Sequence, residues 1–171
     1  MVETRMPESF DIDPLQLDTE FYLRFYTGGY RDTGYGHEFL EFDIRHNPGD
    51  NYATLRYANQ SHYRDEELIR KQVCVSMLVL ETIKTIVRES QILLESDLDW
   101  PDPLKESKQE LEVRSGRNIK RFKTKNISSL GSIKSQKDSQ GLSVFYYLVQ
   151  DLKVFVFSLI SLHFKINPLQ I

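Results

Sequence analysis

A chain of 171 residues, 40% hydrophobic and 27% charged, has the composition of a globular protein, and its length sets one domain as the default. Its single cysteine, Cys74, excludes an internal disulfide and fits a reducing compartment. The net charge of −3 hides a segregation: residues 113–137 hold eight cations and no acid, so the other 14 cations face all 25 acids and that remainder carries −11. Such a split marks either a polyanion site or a solvated hairpin surface.

Residues 1–19, with Pro7, Pro14, several acids and little periodicity, read as a disordered N-terminal extension, and the folded domain is expected over 20–171. The opening "MVETRMPESFDIDPLQLD" has no cationic region followed by an apolar run, so it does not read as a signal peptide. "FYLRFYTGG" (21–29) is aromatic and β-prone, and "GHEFLEFDIR" (36–45) alternates, which predicts two strands. The "TGGYRDTGYG" between them, with four glycines, suits a loop that needs positive φ. After the turn chemistry of "HNPGDN", "YATLRYANQ" (52–60) predicts a third strand and "ELIRKQVCV" (67–75) a fourth, with Ile69, Val73 and Val75 on one face. Ser76 is a candidate N-cap for a first long helix carrying Met77, Leu80, Ile83, Ile86 and Val87 at helical spacing. "DLDWPDP" breaks the chain, and "KQELEVRSGRNIKRFKT" predicts a hairpin turning at Gly116. The segment 126–141 reads as a linker with one helical turn.

The last element is unusual. Over "GLSVFYYLVQDLKVFVFSLISLHFKI" (141–166), the polar residues Ser143, Gln150, Asp151, Ser158 and Ser161 crowd into a narrow arc with Tyr147 and Val154. Phe145, Leu148, Leu152, Phe155 and Leu159 fill one flank, while Tyr146, Val149, Val156, Phe157 and Ile160 fill the other. An ordinary surface helix shows one apolar stripe a little over 100° wide. A membrane span needs ~20 nearly uninterrupted apolar residues, and Gln150, Asp151 and Lys153 near the middle argue against one. The helix is therefore expected to be covered by protein on two sides, by its own sheet and by either a partner or further elements of the same domain. Six strands without βα alternation and two long helices predict an α+β single domain: a six-stranded antiparallel sheet with both helices on one face.

No catalytic or metal constellation is legible. His37-Glu38-x-x-Glu41 resembles half of a zinc motif, but that motif requires a helix and a second histidine, and this stretch reads as a strand. Cys74 reads as a core residue, Gly34-Tyr35-Gly36 as loop, and Glu110 with Glu112 as solvated carboxylates on one strand face. Neither an enzyme nor a cofactor site is expected.

"FYLRFY", "GHEFLEFDIR", "LRYANQSHY", "IRKQ", "QELEV" and above all "GLSVFYYLVQDLKVFVFSLISLHFKINP" resemble the mago nashi family, core subunits of the exon junction complex. The resemblance runs from about Phe21 to Pro168 and implies the fold just described. It also implies an obligate heterodimer with an RNA-recognition-motif protein whose sheet lies on the helices. On that basis Leu148, Leu152, Phe155 and Leu159 are the candidate partner-binding residues. The resemblance further implies docking on a DEAD-box helicase that holds spliced mRNA. It implies roles in mRNA export, localisation and nonsense-mediated decay, in the nucleus with shuttling to the cytoplasm, and no membrane association. Departures from the family include Arg31 and Asp32, where relatives carry lysines directed at the helicase, and Lys120 and Ser115, where relatives have isoleucines. The cationic hairpin is particular to this chain. Lys120 sharing parity with Phe122, opposite Arg121 and Lys123, leads us to expect a projecting tip in which Arg117, Lys120, Arg121 and Lys123 contact RNA.

Overall fold

The computed structural model describes residues 10–31, 36–61 and 68–164. Six strands form one antiparallel sheet: β1 (Phe21–Arg31), β2 (Gly36–His46), β3 (Tyr52–Gln60), β4 (Ile69–Ser76), β5 (Lys108–Ser115) and β6 (Asn118–Thr124). Their order is β4-β3-β2-β1-β5-β6, so consecutive strands pair as hairpins and β5 joins the far side of β1. Two helices, α1 (Met77–Ser90) and α2 (Ser139–Phe164), pack on one face. The predicted fold class is the one observed.

Strand alternation decides the layering. Phe21, Leu23 and Phe25 of β1, Leu40, Phe42 and Ile44 of β2, and Leu111 and Val113 of β5 are all within 2% of complete burial and share the helix-facing side. Their sequence neighbours point to the open side, because successive strand residues alternate. Cys74, expected in the core, lies on that open side opposite Thr54 and is exposed. Its parity is opposite to that of Val73 and Val75, and parity overrides the general preference of cysteine for burial.

Local chemistry fixes the element ends. The Ser76 hydroxyl accepts from the Val79 N–H at 3.3 Å, the expected N-cap, and α1 stops at Gln91 in the left-handed region (φ 61°). The β5–β6 turn uses Gly116 at φ 60°, where a side chain would be strained. Asp138 begins α2: one carboxylate oxygen accepts from the Gly141 N–H and the other from the Trp100 indole at 2.9 Å. Trp100 packs against Phe122 of β6 and Phe145 of α2, so the segment between α1 and β5 closes the core over the hairpin.

Residues 10–19 differ from the disordered extension expected for 1–19. Ile12 is 1% exposed in the core, and the buried Lys84 of α1 donates to the Gln16 carbonyl at 2.8 Å. Its ammonium also sits 5.3 Å from the centre of the Phe21 ring. A buried lysine keeps its charge only with such partners, and burial still pulls its pKa down. Residues 1–9 lie outside the described residues.

Candidate functional site

Two opposite faces of the layer carry the features that matter, the outer side of the helices and the open side of the sheet.

On α2, the chain itself covers most of both apolar flanks. Phe145, Leu148, Leu152, Val149, Val156 and Ile160 are all within 2% of complete burial, against the sheet and α1. Leu148 and Leu152, two of the four expected docking residues, are buried within the free chain. Phe155 and Leu159 are half-buried, at the boundary between core and solvent. α2 is long and apolar enough to span a membrane by length and composition, a property it shares with buried core helices, and here its flanks pack into a sheet-and-helix layer.

The outer arc of α2 is less polar than its sequence suggests. Tyr147 is 54%, Val154 59% and Leu162 79% exposed, and Leu78 at the start of α1 is 70% exposed. Between the helices runs a groove of about 320 Å³ lined by Ile86, Glu89 and Ser90 of α1 and by Val144, Tyr147, Leu148 and Asp151 of α2. Leu148 thus forms part of its floor. Of the four exposed apolar side chains Tyr147 lines the groove, while Leu78, Val154 and Leu162 stand exposed elsewhere on the same two helices.

The open face of the sheet is a charge ladder. Across one row the register sets Arg56, Asp43, Arg24, Glu112 and Arg121 side by side on five successive strands, alternating in sign. Arg56 pairs with Asp43 at 3.0 Å, and Arg121 and Arg114 hold Glu112 at 2.7 and 3.1 Å. Arg24 bridges Glu41 at 2.7 Å and Glu110 at 3.0 Å. The next row carries Arg70, Glu41, Tyr26, Glu110 and Lys123, with Lys108 beyond Glu110 along β5. On the other side, Tyr22 lies between Arg45 and Arg114, whose guanidinium carbons are 4.9 and 5.5 Å from its ring centre. Among the described residues this face holds eight cations and four acids.

Glu110 and Glu112, expected to be solvated, are ion-paired and only 21% and 15% exposed. Burial alone would raise both carboxyls. The hydrogen bonds from Arg24 to Glu110, and from Arg121 and Arg114 to Glu112, outweigh it and hold both below the usual range. Their stabilisation is complete above the ordinary Glu value of about 4.3 and is lost as pH falls through the depressed folded values. Glu112→Gln is expected to lower Tm at pH 7 by roughly 2–4 °C, from about 1 kcal/mol discounted for the half-exposed arginines. It should also flatten the fall in Tm between pH 5 and 3. Thermal melts across that range check this, and two parallel Tm–pH curves would contradict it.

The four expected RNA-contacting residues do not form one tip. Arg121 and Lys123 lie on the open face, whereas Lys120 lies on the helix side opposite Val113 and donates to the Glu95 carbonyl at 3.2 Å. Arg117 is exposed in the turn. A carbonyl on the chain leaving α1 answers the Lys120 ammonium, so the hairpin need not project to solvate it. His37 and Glu41 are on the open face and Glu38 faces the helices, which splits the half-motif between two sides. Among the described residues no cluster of three or more metal-ligating side chains occurs. Asp32 lies outside the described residues.

Residues 21–169 match the family model described as Mago nashi protein. A protein of Arabidopsis thaliana named Protein mago nashi homolog is 51% identical over 151 residues, covering 88% of this chain and 96% of that protein. A Dictyostelium discoideum protein of the same name is 49% identical over 150 residues, covering 88% of this chain and 73% of that protein. The matched span takes in all six strands and both helices, and this chain belongs to the Mago nashi family.

Proposed function

We propose that this chain is a non-catalytic scaffold subunit of an exon junction complex, paired through the outer face of α1 and α2 with the sheet of an RNA-recognition-motif protein. Family membership makes it a subunit of a protein complex. The observation that carries the placement is the exposed apolar set Leu78, Tyr147, Val154 and Leu162 on the two helices, of which Tyr147 lines the inter-helix groove, with Phe155 and Leu159 half-buried on α2. A second sheet laid there would cover side chains that the chain's own core leaves in water, and burial of apolar area contributes ~25 cal/mol per Å². In this reading the pair docks on a DEAD-box helicase and keeps it closed on spliced mRNA, in the nucleus and after export. Affinity capture of the full chain from its own cells tests this. Recovery of one RNA-recognition-motif protein at equal stoichiometry, together with a DEAD-box helicase, is expected. Recovery of neither from nuclear extract would contradict it.

A further inference from the structure

The open face of the sheet, on the side away from the helices, is not used by the proposed pairing. Among the described residues its eight cations and four acids give it a net +4, on a chain whose total is −3. The acids are moreover committed: Asp43 to Arg56, Glu41 and Glu110 to Arg24, Glu112 to Arg114 and Arg121. The row Thr54, Arg45, Tyr22, Arg114 and Ile119 contains two guanidiniums and no carboxylate. Both guanidiniums lean on one tyrosine ring; Arg45 is exposed with no carboxylate in its row, and Arg114 shares the Glu112 carboxylate with Arg121.

At the opposite end of the same face an aromatic stack begins. The rings of Tyr30 and His37 lie 5.0 Å apart and 3° from parallel, and those of His37 and Phe39 lie 4.6 Å apart at 21°. Tyr26 continues the stack against Phe39 and donates to or accepts from the His37 Nε2 at 2.7 Å. The inner end is closed by Arg24 and Lys108 against the Tyr26 ring. The outer end, Tyr30, is 54% exposed.

From this juxtaposition we propose that the open sheet face binds single-stranded nucleic acid, with Arg45 and Arg114 taking backbone phosphates and Tyr30 adding an unpaired base to its stack. Arg45 and Arg114 lie in the row of Tyr22, about 26 Å along β1 from Tyr30 at ~3.3 Å per residue, a span that a strand of several nucleotides covers. Backbone cations together with a ring that accepts any base are the two parts of sequence-tolerant single-strand binding. An acidic polypeptide would meet the same cations but has no planar base for Tyr30. A duplex keeps its bases stacked on each other. The surface includes Arg121 and Lys123 of the hairpin, and it lies on the side of the sheet opposite the helix pairing, so the two readings fail independently.

The test is fluorescence anisotropy of a labelled 15-nucleotide oligouridine with the full chain over a salt series. Saturable binding at low salt is expected. Arg45→Glu with Arg114→Glu should weaken it at least about tenfold and flatten the slope of log affinity against log salt by roughly 0.7 for each phosphate no longer neutralised. Arg88→Glu with Lys134→Glu, the same charge change away from this face, should weaken it much less. Tyr30→Ala should weaken oligouridine binding about fivefold or more while leaving the affinity for inorganic polyphosphate unchanged. No binding at low salt overturns the proposal, as does an equal loss in the control variant. Displacement by polyglutamate as effective as by unlabelled oligouridine would reassign the face to acidic polypeptides. Tyr30→Ala indistinguishable from the unaltered chain would remove the stacking role and with it the preference for nucleic acid.

Discussion

Leu159→Arg is expected to abolish pairing with an RNA-recognition-motif partner while leaving the free chain folded. Leu159 is half-buried at the margin of the core, so in the free chain an arginine stem can lie along the apolar surface with its head in water. Beneath a partner's sheet that head would lose its water and find no carboxylate. An unpaired buried charge costs several kcal/mol, on the order of a thousandfold in Kd. Leu152→Arg supplies the contrast. Leu152 is fully buried within the chain's own core, and a guanidinium there should prevent cooperative folding altogether. Co-purification and a thermal melt of each variant separate the two outcomes. A melt for Leu159→Arg as broad as that of Leu152→Arg would place Leu159 in the core and remove it from the interface.

Gly28→Ala is the second change with a large expected effect. Gly28 sits in the middle of β1 at φ 144°, a conformation L side chains rarely adopt, and its missing Cβ would fall on the Glu38 carbonyl oxygen and against the Phe39 backbone of β2. Neither obstacle can swing aside, since both belong to a paired strand. Next to it, the Tyr30 N–H donates to the Lys105 carbonyl at 3.0 Å, so relief by moving β1 would break that tie. A strained φ together with a steric overlap costs on the order of 3 kcal/mol. For a domain of this size that is a drop in Tm of roughly 6–12 °C. A calorimetric scan checks it, and an unchanged Tm would mean that the strand adjusts without strain. Because Gly28 adjoins the aromatic stack, the variant should also disturb the packing of Tyr26 on Phe39.

Strand alternation, turn chemistry and helical spacing made the six strands and two helices legible in order, because each rests on local periodicity that survives tertiary packing. Leu80, Ile83 and Val87 were picked out by helical spacing, whereas Lys84, buried on the same face, was not, because its partner is the Gln16 carbonyl in a distant segment. Which arc of α2 faces outward could not be read. With apolar residues on both flanks, periodicity does not say which flank the chain itself covers. The structure covers most of both, leaving Phe155 and Leu159 half-buried and turning outward the polar arc in which Tyr147, Val154 and Leu162 stand. The charge ladder was also hidden, because it depends on β5 pairing with β1. The Arg24–Glu110 bridge joins residues 86 apart in the chain, a pairing set by the whole sheet and not by either segment.

The central claim, that the outer face of the helices is where the partner's sheet lies, is tested most directly by site-specific photo-crosslinking. A photoreactive amino acid placed at Leu162, 79% exposed on α2, or at Arg56 on the open face, would be irradiated in the full chain co-expressed with the RNA-recognition-motif protein. Efficient transfer to that protein from position 162 and none from position 56 is the expected result. Transfer from position 56 with none from 162 would place the partner on the wrong side of the sheet and contradict the proposed pairing.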